Sequence, residues 1–495
     1  MRFAAVKKLL TFSGSYRGFP KVSCNFSPVF IGYGLKRAKV STLAFLFERS
    51  TAHGPQSTEE SLQREIPLIQ ATSTRPFIDS PISPLTIHHS YLRGMARRWN
   101  LFRGFFESEK SGGFVLIGCT IISLIISNMA FGDQYLHFWH THLDLSFSAI
   151  NLEYSVEHWI NDGLMTVFFL LVGLEIEREL YVGELSSIRN ALLPIAAAIG
   201  GMFFPALIHY IFNGGTEAQS GFGIPMATDI AFALGILSLA GNRVPTSLKI
   251  FLTALAIIDD LGAIAVIAIF YTKGFSTWYF LSALGVFAIL FIAGKRKVQS
   301  LIFYITGGIV MWYCMLQSGV HATISGVLLA FAIPFHKDDN KNISYKLQHA
   351  LHKPVAFIIL PLFALANTSI VFPKNLVASF TANNSIGIMA GLVVGKFIGI
   401  LFISFLAVKT GIARLSAELN WAHIAGVSLL GGIGFTMSIF ITNLAFTDQA
   451  IITSSKMSIL LASLIAALLG LAVLKSKLVR RRRAGPEPGA PSRKP

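Results

Sequence analysis

Two neighbouring stretches decide how the rest of the chain is interpreted: GIPMATDIAFALGILSLAG, from Gly223 to Gly241, and SLKIFLTALAIIDDLGAIAVIAIFYT, from Ser247 to Thr272. Each is long and apolar enough to cross a bilayer as a helix. Asp229 lies in the middle of the first stretch, and Asp259 and Asp260 lie in the middle of the second. A charged side chain at the bilayer centre costs roughly 2.5–3.5 kcal/mol, so acids in neighbouring spans indicate a functional site.

Two adjacent carboxylates repel each other when both are charged, so such a pair favours binding a proton or a cation. Asp259 and Asp260 therefore predict a site for protons or a transported cation. The alternative is a structural ion pair buried between helices.

The composition is that of a polytopic membrane protein. Of 495 residues, 53% are hydrophobic and 13% are charged, whereas a soluble domain is about 25% charged. The three cysteines, Cys24, Cys119 and Cys314, form no CxxC motif, so neither a disulfide nor a zinc site is expected. The net charge of +16 lies in loops and tails beside apolar spans, where membrane topology explains it, so nucleic acid is not an expected partner.

Three parts are predicted: an N-terminal extension over 1–94, a membrane domain over 95–478 and a basic disordered C-terminal tail over 479–495. The extension has basic residues but no acid before Glu48. That composition fits an organellar transit peptide, and it equally fits translation from a mis-set start upstream of a bacterial gene, with Met95 as the alternative start. The two interpretations imply an organellar inner membrane and a bacterial plasma membrane, respectively.

Twelve spans are predicted in an all-α fold, at about 113–131, 158–175, 190–212, 223–240, 248–271, 278–293, 300–316, 320–335, 354–371, 385–408, 421–443 and 454–474. Lysine and arginine cluster in the gaps after even-numbered spans. The gaps after odd-numbered spans, counted with the edges of the adjoining spans, contain only Lys273, Lys374 and Lys456. The positive-inside rule therefore predicts cytoplasmic N- and C-termini.

Spans 4 and 11 are interrupted. Pro225 precedes Asp229 in the fourth, and Gly431, Gly432 and Gly434 interrupt the eleventh. Each is the middle member of a triplet, spans 3–5 and spans 10–12, and paired interrupted spans indicate an inverted-repeat transporter. Two broken helices that cross at mid-membrane present positive ends that favour an anion and negative ends that favour a cation.

Asp229 can balance the positive ends, and Lys396 in the tenth span can balance the negative ends or pair with Asp259 or Asp260. A lysine that reaches the membrane surface is the alternative for Lys396. Glycines recur every fourth residue around this lysine and predict close approach of another helix; they are Gly387, Gly391, Gly395 and Gly399.

Further polar residues flank the spans. Asp162 lies toward the outer end of the second span, and acidic and basic groups crowd its inner end, namely Glu175, Glu177, Arg178 and Glu179. His321 begins span eight, where a packed polar group is the simpler interpretation. His349 and His352 share one helical face and can titrate near neutral pH. The first outer gap, with Leu143, Leu145 and Phe147, fits a β-hairpin or an ordinary loop equally well.

The chain resembles the NhaA-type sodium/proton antiporters, whose fold is an example of inverted repeats with discontinuous helices. The matching strings are WINDGLMTVFFLLVGLEIEREL, ATDIAFALGILSL, SLKIFLTALAIIDDLGAIAVIAIFYT, SGVHAT, ILPLFALAN, GLVVGKFIGI and GGIGFTMSIFI. They cover roughly residues 100–475 in the family's order.

The resemblance implies that Asp260 is the principal ligand of the transported sodium, with Asp259 exchanging protons and pairing with Lys396. Thr228 and Asp229 would lie at the crossing of the broken helices, and Asp162 would line the ion route. The cytoplasmic pH-response region would comprise Glu175, Arg178, Glu179, His349 and His352, with His321 as a further candidate. A homodimer joined through the outer hairpin is also implied.

Two positions depart from the family pattern. Gln348 stands where a glutamate is often found, and Glu177 stands where a basic residue is common. Both bear on the pH response rather than on the transport site.

The function implied is secondary, electrogenic exchange of sodium or lithium for more than one proton, with no enzyme chemistry and no cofactor. A passive cation channel is one alternative, but it does not explain Lys396 or the paired breaks. An intramembrane aspartyl protease is the other. It would need its two acids on separate helices, whereas Asp259 and Asp260 are adjacent in sequence.

Overall fold

The computed structural model describes residues 109–147, 152–241, 244–272, 274–335 and 342–483. The predicted extension 1–94 and residues 484–495 of the predicted tail lie outside these ranges. Within the described part of the chain, eight helices are long and apolar enough to cross a membrane, and three bent helix pairs raise the number of candidate spans to eleven. The expectation of an all-helical polytopic membrane protein is confirmed.

The elements in chain order are α1 (Glu109–Ser127), α2 (Gly132–His140), β1 (His142–Asp144), β2 (Glu153–Ser155), α3 (Val156–Tyr181), α4 (Ile188–Asn213), α5 (Ile230–Leu239), α6 (Thr246–Phe270), α7 (Thr277–Lys295), α8 (Leu301–Ser318), α9 (Ile324–Ala332), α10 (Ile343–Asn367), α11 (Leu376–Thr381), α12 (Asn383–Lys409), α13 (Trp421–Leu430), α14 (Phe435–Ala445) and α15 (Gln449–Arg483). A 3₁₀ helix, Glu217–Met226, precedes α5, and a short 3₁₀ turn, Glu184–Ser186, precedes α4.

Both predicted interruptions are present. The 3₁₀ helix Glu217–Met226 meets α5 at 47°, and α13 meets α14 at 45°. Three other spans are continuous but contain one π-helical stretch each, at Trp159–Leu164 in α3, Val355–Ile359 in α10 and Gly391–Gly395 in α12. Such stretches inside α-helices are frequent at functional sites. Two of them carry or directly precede predicted site residues, Asp162 and Lys396.

Two boundaries differ from the sequence prediction. The predicted span 320–335 contains only the short helix α9, because Gly319 ends α8 with a positive φ of 80° and a turn follows in which the Ile324 amide donates to the His321 carbonyl. The predicted start of the tail at 479 lies inside α15, which continues to Arg483. A basic last turn is compatible with helix because cations stabilise the negative C-terminal end.

The outer gap forms an antiparallel hairpin. Leu143 of β1 pairs with Tyr154 of β2, and Asp144 pairs with Glu153. Leu145 continues the ladder through its amide, which donates to the Leu152 carbonyl at 3.2 Å. Of the two sequence interpretations, hairpin or loop, the hairpin is correct.

Helices α4 and α12 pack with their backbones in direct contact. A Cβ atom added to Gly200 would lie 2.1 Å from the carbonyl oxygen of Gly399, and one added to Gly399 would lie 2.1 Å from that of Gly200. A Cβ atom added to Gly395 would lie 2.9 Å from the Cα atom of Pro205 in α4. The prediction that the glycine repeat in α12 admits a neighbouring backbone is confirmed, and it fixes Lys396 deep in this contact.

Candidate functional site

The two breaks cross in direct contact. The backbone amide of Asp229 donates to the carbonyl oxygen of Ile433 at 2.7 Å. The Thr228 hydroxyl lies 2.8 Å from the carbonyl oxygen of Gly431, which is one of the unpaired carbonyls at the end of α13. The first break therefore satisfies backbone groups that the second break exposes.

Asp229 lies where the positive ends of two helices converge. It is the N-cap of α5, and its Oδ1 accepts a hydrogen bond from the Phe232 amide at 2.9 Å. Its Oδ2 accepts from the Thr436 amide at 3.1 Å and from the Thr436 hydroxyl at 2.5 Å. A buried carboxylate at this point interacts favourably with both helix dipoles.

The three glycines of the second break allow it to pack against α12. A Cβ on Gly432 would come within 2.3 Å of the Leu392 carbonyl oxygen, and one on Gly431 within 2.8 Å of the Ile400 side chain. A Cβ on Gly434 would lie 2.9 Å from the Leu392 side chain of α12. Only residues without a side chain leave room for this crossing.

Lys396 is fully buried and forms an ion pair with Oδ2 of Asp259. Its ammonium also donates to the Thr228 hydroxyl at 3.0 Å, and that hydroxyl lies 2.6 Å from the same Asp259 oxygen. The surface-reaching alternative for Lys396 is therefore wrong. Thr228 has a single proton to donate, which it can direct either to Asp259 or to the carbonyl at the end of α13.

Asp260 follows Asp259 directly on α6. It is buried, yet its Oδ1 has no hydrogen-bond partner among the described residues, and the same holds for Oδ1 of Asp259. Two carboxylate oxygens are thus available beside one lysine that is already engaged. Oxygen ligands of this kind suit hard cations as well as protons. Across the described residues no group of three or more His, Cys, Asp and Glu side chains is arranged to hold a metal ion.

Asp162 lies apart from this cluster. It belongs to the π-helical stretch of α3, and its Oδ2 is 2.9 Å from Nε2 of His158 one turn earlier. The indole of Trp312 in α8 donates to the Asp162 backbone carbonyl at 3.1 Å. The structure therefore places Asp162 beside a titratable partner, His158, that the sequence analysis did not consider.

The predicted pH-response residues divide into two places. Glu175 at the inner end of α3 lies 3.9 Å from Nδ1 of His352 in α10, so these two predicted residues are brought together. Arg178 lies 3.6 Å from Glu179 in the same segment, and His349 is exposed in the same turn region as His352.

His321 lies elsewhere, in the turn before α9, where its Nε2 is 3.0 Å from the Tyr271 carbonyl at the end of α6. That position agrees with the simpler interpretation of a packed polar group.

Two contacts were missed by the sequence analysis. Thr436, in the first turn after the glycine break, donates two hydrogen bonds to Asp229. Glu177, one of the two departures, is buried and lies 3.3 Å from the Ser344 hydroxyl of α10. Gln348, the other departure, is buried one turn after Ser344 on the same face of α10. The two departures therefore lie on packed faces of neighbouring helices.

Comparison with known proteins shows the family to which the chain belongs. Residues 103–474 match the protein family described as Na+/H+ antiporter 1. The chain is 60% identical over 375 residues to the Na(+)/H(+) antiporter NhaA of Flavobacterium psychrophilum, a match that covers 76% of this chain and 96% of that protein. It is 61% identical over 373 residues to the protein of the same name from Dechloromonas aromatica, covering 74% and 94% of the two chains.

A third relative, the Na(+)/H(+) antiporter NhaA of Cytophaga hutchinsonii, is 58% identical over 378 residues, with 76% of this chain and 96% of that protein covered. The matched region contains both broken spans, the Asp259–Lys396 pair and the helices α3 and α10. This multi-pass membrane chain belongs to the Na+/H+ antiporter 1 family.

Proposed function

We propose that this protein is a secondary antiporter that exports sodium or lithium in exchange for protons and thereby regulates internal sodium and pH. The observation that carries the proposal is Asp260, a buried carboxylate with an unpartnered oxygen beside the Asp259–Lys396 ion pair. A buried charge without a compensating partner is costly, so this position favours an occupant that supplies positive charge. The relatives named as sodium/proton antiporters support the same assignment.

Coupling follows from competition for one set of carboxylates. A sodium ion and protons cannot occupy Asp259 and Asp260 together, because each neutralises the same negative charge. On the outer side, protons load the site; on the inner side, sodium displaces them. When a sodium ion displaces more than one proton, each cycle moves net charge, and exchange is electrogenic.

Each site residue has a distinct role in this proposal. Asp260 is the principal ligand of the transported cation, and Asp259 exchanges a proton while it alternates between Lys396 and the cation. Thr228 adds a hydroxyl oxygen at the crossing. Asp229 compensates the positive ends of the two half-helices. The transported charge is therefore not needed to balance them. Asp162 lines the route toward the outer side.

Orientation, assembly and domain organisation belong to the same proposal. The lysine and arginine bias supports cytoplasmic termini in a bacterial plasma membrane, with residues 1–94 as an extension outside the membrane domain. The contact between Glu175 and His352 then lies on the cytoplasmic side and belongs to the pH-response region. The exposed hairpin pairs two protomers.

The test of this function uses everted membrane vesicles with an imposed pH gradient, reported by a fluorescent weak base. The gradient should collapse on addition of sodium or lithium and persist on addition of potassium. Vesicles from cells that express the Asp260→Asn protein serve as the matched control, because that variant keeps the side-chain shape but loses the charge.

The channel and protease alternatives make different predictions in the same material. A passive channel gives sodium flux that does not depend on the pH gradient. A protease gives cleavage of membrane substrates and no ion-dependent collapse. Asp259 and Asp260 follow each other on α6 and do not face each other from separate helices, so the geometry favours the antiporter.

A further inference from the structure

A cavity of about 660 Å³ lies outside the ion site, where the first turns of α4 and α6 meet the segment 411–419 that follows α12. Two arginines line it, Arg189 from α4 and Arg414 from the segment after α12. Ser247 and Ser416 contribute hydroxyls, and Leu193 and Phe251 are among the apolar walls. The cavity therefore combines cationic donors with an apolar interior.

The two guanidinium groups are available to a ligand. Neither Arg189 nor Arg414 has an ion pair or hydrogen bond within the described part of the chain, and both are exposed at the cavity. The nearby acid Glu418 is bonded to the Ser247 hydroxyl at 2.8 Å and does not line the cavity. Paired arginines present forks of N–H donors that match the oxygens of a phosphate group.

Helix ends add to this charge. α4 begins at Ile188 and α6 begins at Thr246, and neither N-terminus is capped by a side chain. Their first amides and their dipoles favour an anion at the same place as the arginines. The non-bridging oxygens of a phosphate group can accept hydrogen bonds from such amides and from the arginines together.

The surroundings of the cavity are those of a lipid-facing surface. Ile412, which lines the cavity, is 61% exposed, and the segment that carries it directly follows the membrane helix α12. A groove of about 370 Å³ on α12 is lined only by apolar side chains, among them Phe402, Phe405 and Trp421. Acyl chains can pack in such an apolar groove, whereas a soluble anion has no apolar part that would pack there.

We propose that this cavity binds the phosphate group of an anionic phospholipid through Arg189 and Arg414, with the acyl chains against the apolar surface of α4 and α12. The lipid joins the first turn of α6 to the segment that follows α12. Helix α6 carries Asp259 and Asp260, and helix α12 carries Lys396. This role is separate from cation exchange and does not depend on the proposed function.

The test uses the purified full-length protein in detergent, delipidated and then titrated with phosphatidylglycerol, phosphatidylcholine or inorganic phosphate under native mass spectrometry. We expect phosphatidylglycerol to bind with a defined stoichiometry per protomer and phosphatidylcholine to bind weakly. Arg189→Gln and Arg414→Gln should each weaken phosphatidylglycerol binding roughly tenfold, because each removes charge-assisted hydrogen bonds. The control Lys346→Gln, which removes an exposed cation of α10 outside the cavity, should bind as wild type does.

Three outcomes would overturn the proposal: wild-type phosphatidylglycerol affinity in the Arg189→Gln/Arg414→Gln protein, equal affinity for the zwitterionic lipid, or binding of inorganic phosphate without binding of the lipid. If the double variant does not fold, Arg189→Lys/Arg414→Lys keeps the charge but loses the fork, and it should show weaker binding that high salt removes. Binding by this variant that equals wild type and resists salt would also contradict the proposal. Asp260→Asn should retain lipid binding in full, which separates this site from the ion site.

Discussion

Asp229 in the first broken span and Thr436 in the second are joined by two hydrogen bonds, one from the Thr436 amide at 3.1 Å and one from its hydroxyl at 2.5 Å. Because Asp229 also caps its own half-helix through the Phe232 amide, one side chain stabilises the first turns of two helices. The crossing therefore has its own anion and does not require Asp259 or Asp260, which leaves those acids available for ions.

Asp229→Asn should destabilise the protein, because the amide has no charge and one fewer acceptor for the two helix ends. We expect the free energy of unfolding to fall by about 1.5–3 kcal/mol, the range for hydrogen bonds to charged groups. Thermal unfolding in detergent measures this. Thr436→Val is the matched comparison: it removes the hydroxyl but keeps the amide, so its loss should be smaller. A larger loss for Thr436→Val than for Asp229→Asn would contradict the capping role.

Lys396→Met should destabilise the protein strongly, since it leaves the Asp259 carboxylate buried without its partner. Removing one member of a buried pair typically costs about 3–5 kcal/mol. The double variant Asp259→Asn/Lys396→Met should recover much of that loss, because no unpaired charge remains, while transport stays absent. Equal melting temperatures for Lys396→Met and wild type would show that the lysine does not compensate a buried charge.

The sequence was sufficient for the parts of the site that break local rules. Charged residues and helix-breaking glycines inside an apolar span cost free energy, so their presence in the sequence indicates a function. Asp259, Asp260, Lys396 and the two interruptions could be predicted for this reason. Thr436 could not be predicted, because hydroxyl side chains are common in membrane helices and its contact depends on how two breaks cross.

Contacts and turns at the helix ends are not predictable from local sequence patterns. The Glu177–Ser344 contact depends on the packing of α3 against α10, which no local pattern specifies. The stretch 320–335 forms a turn and then the short helix α9, because Gly319 has a left-handed backbone conformation that ends α8. Periodicity alone could not distinguish that arrangement from a continuous span.

Gln348→Glu should alter both stability and the pH profile. Gln348 is buried one turn after Ser344, which contacts Glu177, so a glutamate there adds a second buried acid to the same interface. Like charges repel, so the variant should unfold more easily as pH rises, when both acids tend to lose their protons. The added negative charge also favours bound protons in this region, so activation of transport in vesicles should move toward alkaline pH.

Glu177→Lys provides the control, because it converts the repulsion into an attraction. In the double variant Glu177→Lys/Gln348→Glu, we expect a favourable coupling energy on the order of 0.5–3 kcal/mol. Thermal unfolding of the four proteins of this cycle measures it. If the two substitutions are additive, residues 177 and 348 do not interact.

The hairpin should contribute to dimerisation. Leu145 and Phe147 are 60% and 79% exposed at its end, and exposed apolar side chains outside the membrane favour contact with another protein surface. Leu145→Asp should shift the purified protein from dimer toward monomer in native mass spectrometry, with cation exchange retained in vesicles.

Asp144→Asn is the matched hairpin control. Hydrogen bonds from Ser146 hold the pKa of Asp144 below its ordinary value, so this carboxylate is charged at neutral pH and its loss changes charge without adding a polar group to the apolar surface. It should remain dimeric. A dimer that persists in Leu145→Asp would place the protomer contact elsewhere.

The most direct test of the ion site is sodium/proton exchange by purified Asp260→Asn protein in proteoliposomes with an imposed pH gradient, compared with wild type at equal reconstitution. Oδ1 of the buried Asp260 carboxylate has no hydrogen-bond partner among the described residues, so replacing this carboxylate by an amide should abolish sodium-dependent proton movement while the protein remains folded. Exchange by Asp260→Asn at the wild-type rate would contradict the assignment of Asp260 as the principal cation ligand.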